Sequence, residues 1–169
     1  ATTLPPVNPK GDGAEWMEAF AGPYGGPLAE AQYPQARAMA LAFGFRNVIT
    51  YEMKTQAQVD TGRSLNRQAV ADGKPTVLVE IGQNGQRDEA SIAALTSGLE
   101  NVLKTLTMSA GTPSPPRPDT RWFGDSAEAV ATVTGIFTPV ATTGRAVRKG
   151  DLIGTVTDYA GKEVERIVS

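Results

Sequence analysis

Two side chains stand where their chemistry would be useful. Glu80 closes the apolar run Thr76-Val77-Leu78-Val79-Glu80-Ile81-Gly82. An unpaired carboxylate buried in such a run costs stability unless something compensates it. At the carboxyl end of a strand in an open α/β sheet, it would instead face the crevice where ligands bind. There a Glu could take a proton from an attacking water and hand it to a leaving amine. Gly82 and Gly85 follow it and would let a substrate approach the backbone. The plainer alternative is a strand-end Glu paired with Arg or Lys, or simply solvated. The second residue is Arg63, in Thr61-Gly62-Arg63-Ser64, just before a helix start. Free N–H groups, the positive end of the dipole and a planar guanidinium would converge there, a combination that binds carboxylates. Its alternative is a solvated Arg beside a cap.

Composition narrows the field. The chain has 169 residues, no histidine and no cysteine, with 16 basic against 18 acidic side chains and a net charge of −2. Thiolate metal sites and disulfides are excluded. The near-neutral balance gives no reason to expect nucleic acid or a membrane surface as partner. No apolar run is long enough to span a bilayer, and Ala1-Thr2-Thr3-Leu4-Pro5-Pro6 has no signal-peptide character. Cytoplasm is the default compartment.

The elements that must position Glu80 and Arg63 read as follows. Residues 1–32, rich in Pro and Gly, read as loop with a short helix around Glu15–Phe20. A helix runs from Tyr33 to a stop at Gly44, with Pro34 in its first turn and Ala36, Met39, Ala40 and Phe43 as its apolar stripe. A strand at Asn47–Tyr51 and a polar loop to Gly62 follow. Ser64 caps a helix ending near Gly73. Val77–Ile81 is apolar on both faces, as in a helix-covered parallel sheet. A long helix spans about Asp88–Leu106, its stripe being Ile92, Leu95, Leu99, Val102, Leu103 and Leu106. The alternation of helix and strand indicates an α/β sheet.

Beyond a Pro-rich linker the character changes. Residues 131–137 and 152–157 look like strands separated by glycine turns at Gly135, Gly144, Gly150 and Gly161. About three strands are too few to close a barrel. The pattern resembles half of a barrel-sandwich hybrid. A biotinyl or lipoyl carrier role is disfavoured, because Lys149 and Lys162 lack the flanking residues of a modified lysine.

Taken together, Gly73–Gly82 with Glu80, the helix segment Gly98-Leu99-Glu100-Asn101-Val102-Leu103 and the β segment Gly135–Gly154 resemble the succinylglutamate desuccinylase/aspartoacylase family of zinc-dependent deacylases. The resemblance covers roughly Tyr33 to Tyr159. It implies an α/β fold: part of a zinc-carboxypeptidase-like three-layer αβα domain over residues 1–111, a linker over 112–121, and a truncated, barrel-sandwich-like β domain over 122–169. It also implies hydrolysis of a small N-acyl amino acid or related carboxylated amide. Glu80 would be the general base on zinc-bound water, and Arg63 would hold the substrate carboxylate.

The family's zinc ligands, a His-x-x-Glu pair and a later His, are not in this sequence. Zinc is therefore expected for an intact enzyme but not from this chain's residues. The expectation is a fragment, or one part of a split enzyme, inactive alone and partnered by the missing N-terminal segment or by a homo-oligomer. The competing expectation is a non-enzymatic binding or scaffold protein that lacks the metal half.

Overall fold

The computed structural model describes residues 2–3, 20–60, 64–82, 87–124, 128–142 and 146–169. In chain order the strands and helices are β1 (Thr2–Thr3), β2 (Phe20–Gly25), α1 (Tyr33–Ala42), β3 (Asn47–Ile49), β4 (Tyr51–Glu52), α2 (Gln56–Asp60), α3 (Leu65–Ala71), β5 (Val77–Glu80), α4 (Glu89–Thr105), β6 (Arg121–Phe123), β7 (Ile136–Pro139), β8 (Ala146–Val147), β9 (Leu152–Thr157) and β10 (Glu163–Val168). They fall into two compact units, residues 17–125 and residues 1–16 with 126–169.

The larger unit is built around β2, within the stretch the sequence reads as loop. Phe-Ala-Gly-Pro-Tyr-Gly has no β-branched residue and carries a proline, which normally argues against a central strand. The neighbouring ladder accommodates it. β3 pairs in parallel with Phe20 and Ala21, and β4 with Tyr24 and Gly25. Pro23 falls at the break between them, where no N–H is asked of it. Opposite that break Thr50 turns its N–H to Phe123 O instead, at 2.9 Å. On the other side β5 runs antiparallel to β2, with Phe20 opposite Glu80 and Gly22 opposite Leu78. The Glu80 strand is thus not a parallel strand, as its apolar pattern suggests. β6 pairs in parallel with β3, so this strand belongs to the α/β unit rather than to the β unit beyond the linker.

Both sheet faces are covered. On one, Ala21, Val48, Val77, Val79 and Ile81 pack with Ala40 of α1 and with Phe45. On the other, Tyr24, Tyr51 and Leu78 pack with Val59 of α2 and Val70 of α3. α2 occupies part of the stretch expected to be a polar loop; its one buried residue, Val59, ties it to the sheet. Ser64 caps α3 by accepting the Arg67 N–H, and Gly73 ends that helix at positive φ. Asp88 caps α4 by accepting the Ser91 N–H at 2.8 Å.

α4 meets α1 through Gly98, where an added Cβ would lie 2.5 Å from Phe43 Cδ1 and 3.0 Å from Phe43 O. Asn101 donates to Ala42 O at 2.7 Å and accepts from Ser114 N at 2.7 Å, latching the linker to the end of α1. The apolar stripe of α4 departs from expectation. Val102 is buried at 4% exposure, whereas Ile92, Leu95 and Leu99 are 45%, 40% and 51% exposed.

The smaller unit holds a three-stranded antiparallel sheet, β10-β9-β7, and the β1–β8 pair. Asp158 shapes the β9–β10 turn by accepting from Ala160 N and Lys162 N, both at 2.9 Å. The expected strand over 131–137 begins only at Ile136; before it, Glu165 accepts from Thr132 N and Thr132 Oγ1.

Candidate functional site

Glu80 is the last residue of β5 and is exposed. Among the described residues it makes no ion pair and no side-chain hydrogen bond, so the expected alternative of a strand-end Glu paired with a cation finds no partner there. Because β5 is antiparallel, Glu80 stands at the edge where β2 and β3 begin. The rule that ligands bind outside the carboxyl ends of parallel strands therefore does not place it. What brings other side chains to it is the sheet face. Paired residues in a ladder share a face, so Gly22, Leu78 and Glu80 lie on the side opposite Ala21 and Val79.

Tyr51 reaches that same side. Its ring fills the space a side chain at Gly22 would need, with Cε2 2.4 Å from the position of an added Cβ. It stacks on Tyr24 at 5.2 Å between centroids and 22° between planes. Burial raises the Tyr51 phenol above its ordinary value, the negative charge of Glu80 adds to the rise, and Tyr24 contributes further. Tyr51 is a polar group that sequence reading misses. The signal would have been a glycine in a neighbouring strand, which is interpretable only once the register is known.

Gly82 has a φ of 79°, a conformation that suits glycine, just beyond Glu80. Arg63 and Gly85, the other residues singled out from the sequence, lie outside the described residues. A cavity of about 430 Å³ opens near Phe43, Phe45, Ile81, Gly98, Asn101 and Arg117. Ile81 packs on the α1 face, so this cavity lies away from the face that carries Glu80. Its charged rim is already engaged, with Arg117 Nε 2.9 Å from Asp119 Oδ1 and Arg46 Nε 3.4 Å from Asp119 Oδ2.

Among the described residues no donor set fits a zinc site. The chain has no histidine and no cysteine, and among the described residues no three carboxylates come close enough to hold an ion. Structural and catalytic zinc sites need three or four such ligands. Nor is any helix of the described residues long and apolar enough to cross a membrane.

No protein-family model matches the sequence, and no curated protein matches it. Solved structures do. A succinylglutamate desuccinylase/aspartoacylase from Rhodobacter sphaeroides aligns with a TM-score of 0.65 and 20% identity, over 89% of this chain and 46% of its own. The product-bound ectoine utilization protein EutE (DoeB) from Ruegeria pomeroyi aligns with a TM-score of 0.71 and 21% identity, over 89% of this chain and 45% of its own. A succinylglutamate desuccinylase from Silicibacter sp. aligns with a TM-score of 0.62 and 19% identity, over 89% of this chain and 44% of its own. The chain thus spans less than half the length of these proteins. Over that length it carries the fold of the succinylglutamate desuccinylase/aspartoacylase structures.

Proposed function

We propose that this chain forms the base-bearing part of a deacylase that hydrolyses the amide bond of a small N-acyl amino acid or a related carboxylated amide. The observation that carries this reading is Glu80: an exposed carboxylate with no cation partner among the described residues, at the end of a strand in a deacylase-type fold. In this reading Glu80 accepts the proton of the attacking water and returns it to the departing amine, which leaves neutral. Arg63 holds the carboxylate of the substrate through its guanidinium fork. Zinc, which the family resemblance implies for the whole enzyme, has no ligand set among the described residues; the ligands would come from the part of the fold that this chain does not match. The partner we propose is that complementary part, carried in the same or a second polypeptide.

The test is hydrolysis by the assembled enzyme. Glu80→Gln keeps shape and removes the base, and should cut turnover by about 10²–10⁴-fold. Near-normal turnover would end the reading. Arg63→Ala should raise KM for carboxylated amides while sparing an uncharged analogue; an equal loss on both would remove Arg63 from the site. The absence of histidine and cysteine favours a second reading, a binding protein that has shed metal chemistry. It predicts retained affinity for a carboxylated amide, measured by calorimetry, and no hydrolysis under any metal loading.

A further inference from the structure

We propose that Tyr51 is a positioning residue of the Glu80 site, its hydroxyl holding the water that the Glu80 carboxylate deprotonates. The proposal rests on the reading of Glu80 as a proton acceptor and extends it to a second residue.

Register and glycine placement carry the argument. Tyr51 pairs with Tyr24 in the β2–β4 ladder. Its ring does not stay there but lies over Gly22, two residues back along β2, toward the end where Phe20 faces Glu80. Only a glycine permits this crossing, since any Cβ at position 22 would strike the ring. Stacking on Tyr24 fixes the ring.

The ring spans from β4 across β2 on the face Glu80 shares, and its polar tip is the only part that stacking and packing leave unexplained. No hydrogen bond among the described residues joins that hydroxyl to Glu80. A carboxylate only accepts, and a neutral phenol donates and accepts. One water between them satisfies both, receiving from the phenol and donating to Glu80, which is the orientation a proton abstraction needs. A phenol is a donor across the neutral range, and the raised Tyr51 titration extends that into alkaline pH. Of the other charged groups near Tyr51, Glu52 is engaged by Lys54 at 3.1 Å; Tyr24 faces it from β2 and Glu80 from β5.

The test needs no turnover. In the 169-residue chain, the Glu80 carboxyl carbon is observed by NMR at neutral pH in the parent and in Tyr51→Phe, which keeps the ring, its stack and its cover of Gly22. Loss of the donor should move that carboxyl signal, because a hydrogen-bonded carboxylate and a freely solvated one differ in chemical shift. Reciprocally, Glu80→Gln should lower the phenol titration of Tyr51, read by ultraviolet absorbance. This second variant lies at an exposed position, so the coupling stays measurable even if Tyr51→Phe disturbs folding. A Glu80 carboxyl signal unmoved in Tyr51→Phe, or a Tyr51 titration unmoved in Glu80→Gln, overturns the proposal. The outcomes separate the two claims. Absent coupling counts against Tyr51 alone, and intact coupling in an enzyme that tolerates Glu80→Gln counts against the hydrolytic reading alone.

Discussion

At the scale of the residue, Glu80 and Tyr51 make opposite demands on stability. A carboxylate held by no cation contributes little to folding, so Glu80→Gln should leave the unfolding free energy within about 0.5 kcal/mol of the parent in a urea titration. A substantially larger loss would mean that Glu80 serves a structural pair after all. Tyr51 carries a linkage instead. Its titration is raised in the fold by burial, then by Glu80 and Tyr24, so the folded state keeps the proton that the unfolded state gives up. That contribution is fully present below the ordinary tyrosine value and is lost as pH rises through the folded one. Thermal melts should therefore fall more steeply at alkaline pH in the parent than in Tyr51→Phe, and parallel curves would contradict the shift. Glu80 could be singled out from sequence because a lone carboxylate in an apolar run is conspicuous. Tyr51 could not, because its role depends on a register that brings β4, β2 and β5 together.

At the scale of the element, the segments with strong local signals were legible. α1 begins near Pro34 and ends at Gly44, α3 starts at its Ser64 cap, and α4 starts at Asp88. β2 and β6 were not legible. β2 carries Ala21 and Gly22 at its middle because α1 and the Tyr51 ring press on its two faces there, and β6 follows directly on a proline-rich stretch. The Gly98–Leu103 segment that carries the family resemblance has a structural explanation: Gly98 lets Phe43 approach, and Asn101 latches Ser114 to the end of α1. Gly98→Ala sets a helix-propensity gain of about 1 kcal/mol against an overpacking cost of about 1–3 kcal/mol. With backbone at 3.0 Å as well as a ring atom at 2.5 Å, overpacking should prevail and lower stability in denaturant titration. Asp88 gives α4 a pH dependence of the other sign. Its capping bonds with Ser91 hold its carboxyl below the ordinary Asp value, so the cap is present above that value and is lost as pH falls through the folded one. Amide exchange in the first turn of α4 should accelerate there, ahead of exchange at Val102.

At the scale of the whole molecule, the α/β character of the larger unit was legible from the alternation of helices and strands, and its three layers only from the family resemblance, while the partition of the chain was not legible. Thr2–Thr3 pairs with β8 of the smaller unit, and β6 joins the larger one, so composition shifts mark neither boundary. The same scale explains the misplaced stripe of α4. Periodicity says that Ile92, Leu95 and Leu99 must be covered, but not by what. They are exposed here, and the outer edge of β5, an apolar strand, has no neighbour among the described residues. An unpaired apolar strand edge and an exposed apolar helix face are the kinds of surface that partners cover. The solved structures that share this fold are about twice as long as the part this chain matches. The occupant we propose is accordingly an α/β segment that adds a strand to β5 and rests a helix on α4. Replacing Leu95 and Leu99 together by Glu separates the possibilities. Were these residues core, each substitution would bury a charge and the chain would not fold. As interface residues they should leave the urea unfolding energy within about 1 kcal/mol of the parent, since exposed sites tolerate charge. In sedimentation velocity with the complementary segment present, the double variant should also fail to form the complex that the parent forms. A variant that unfolds, or one that associates as the parent does, would show that this face has no partner to lose.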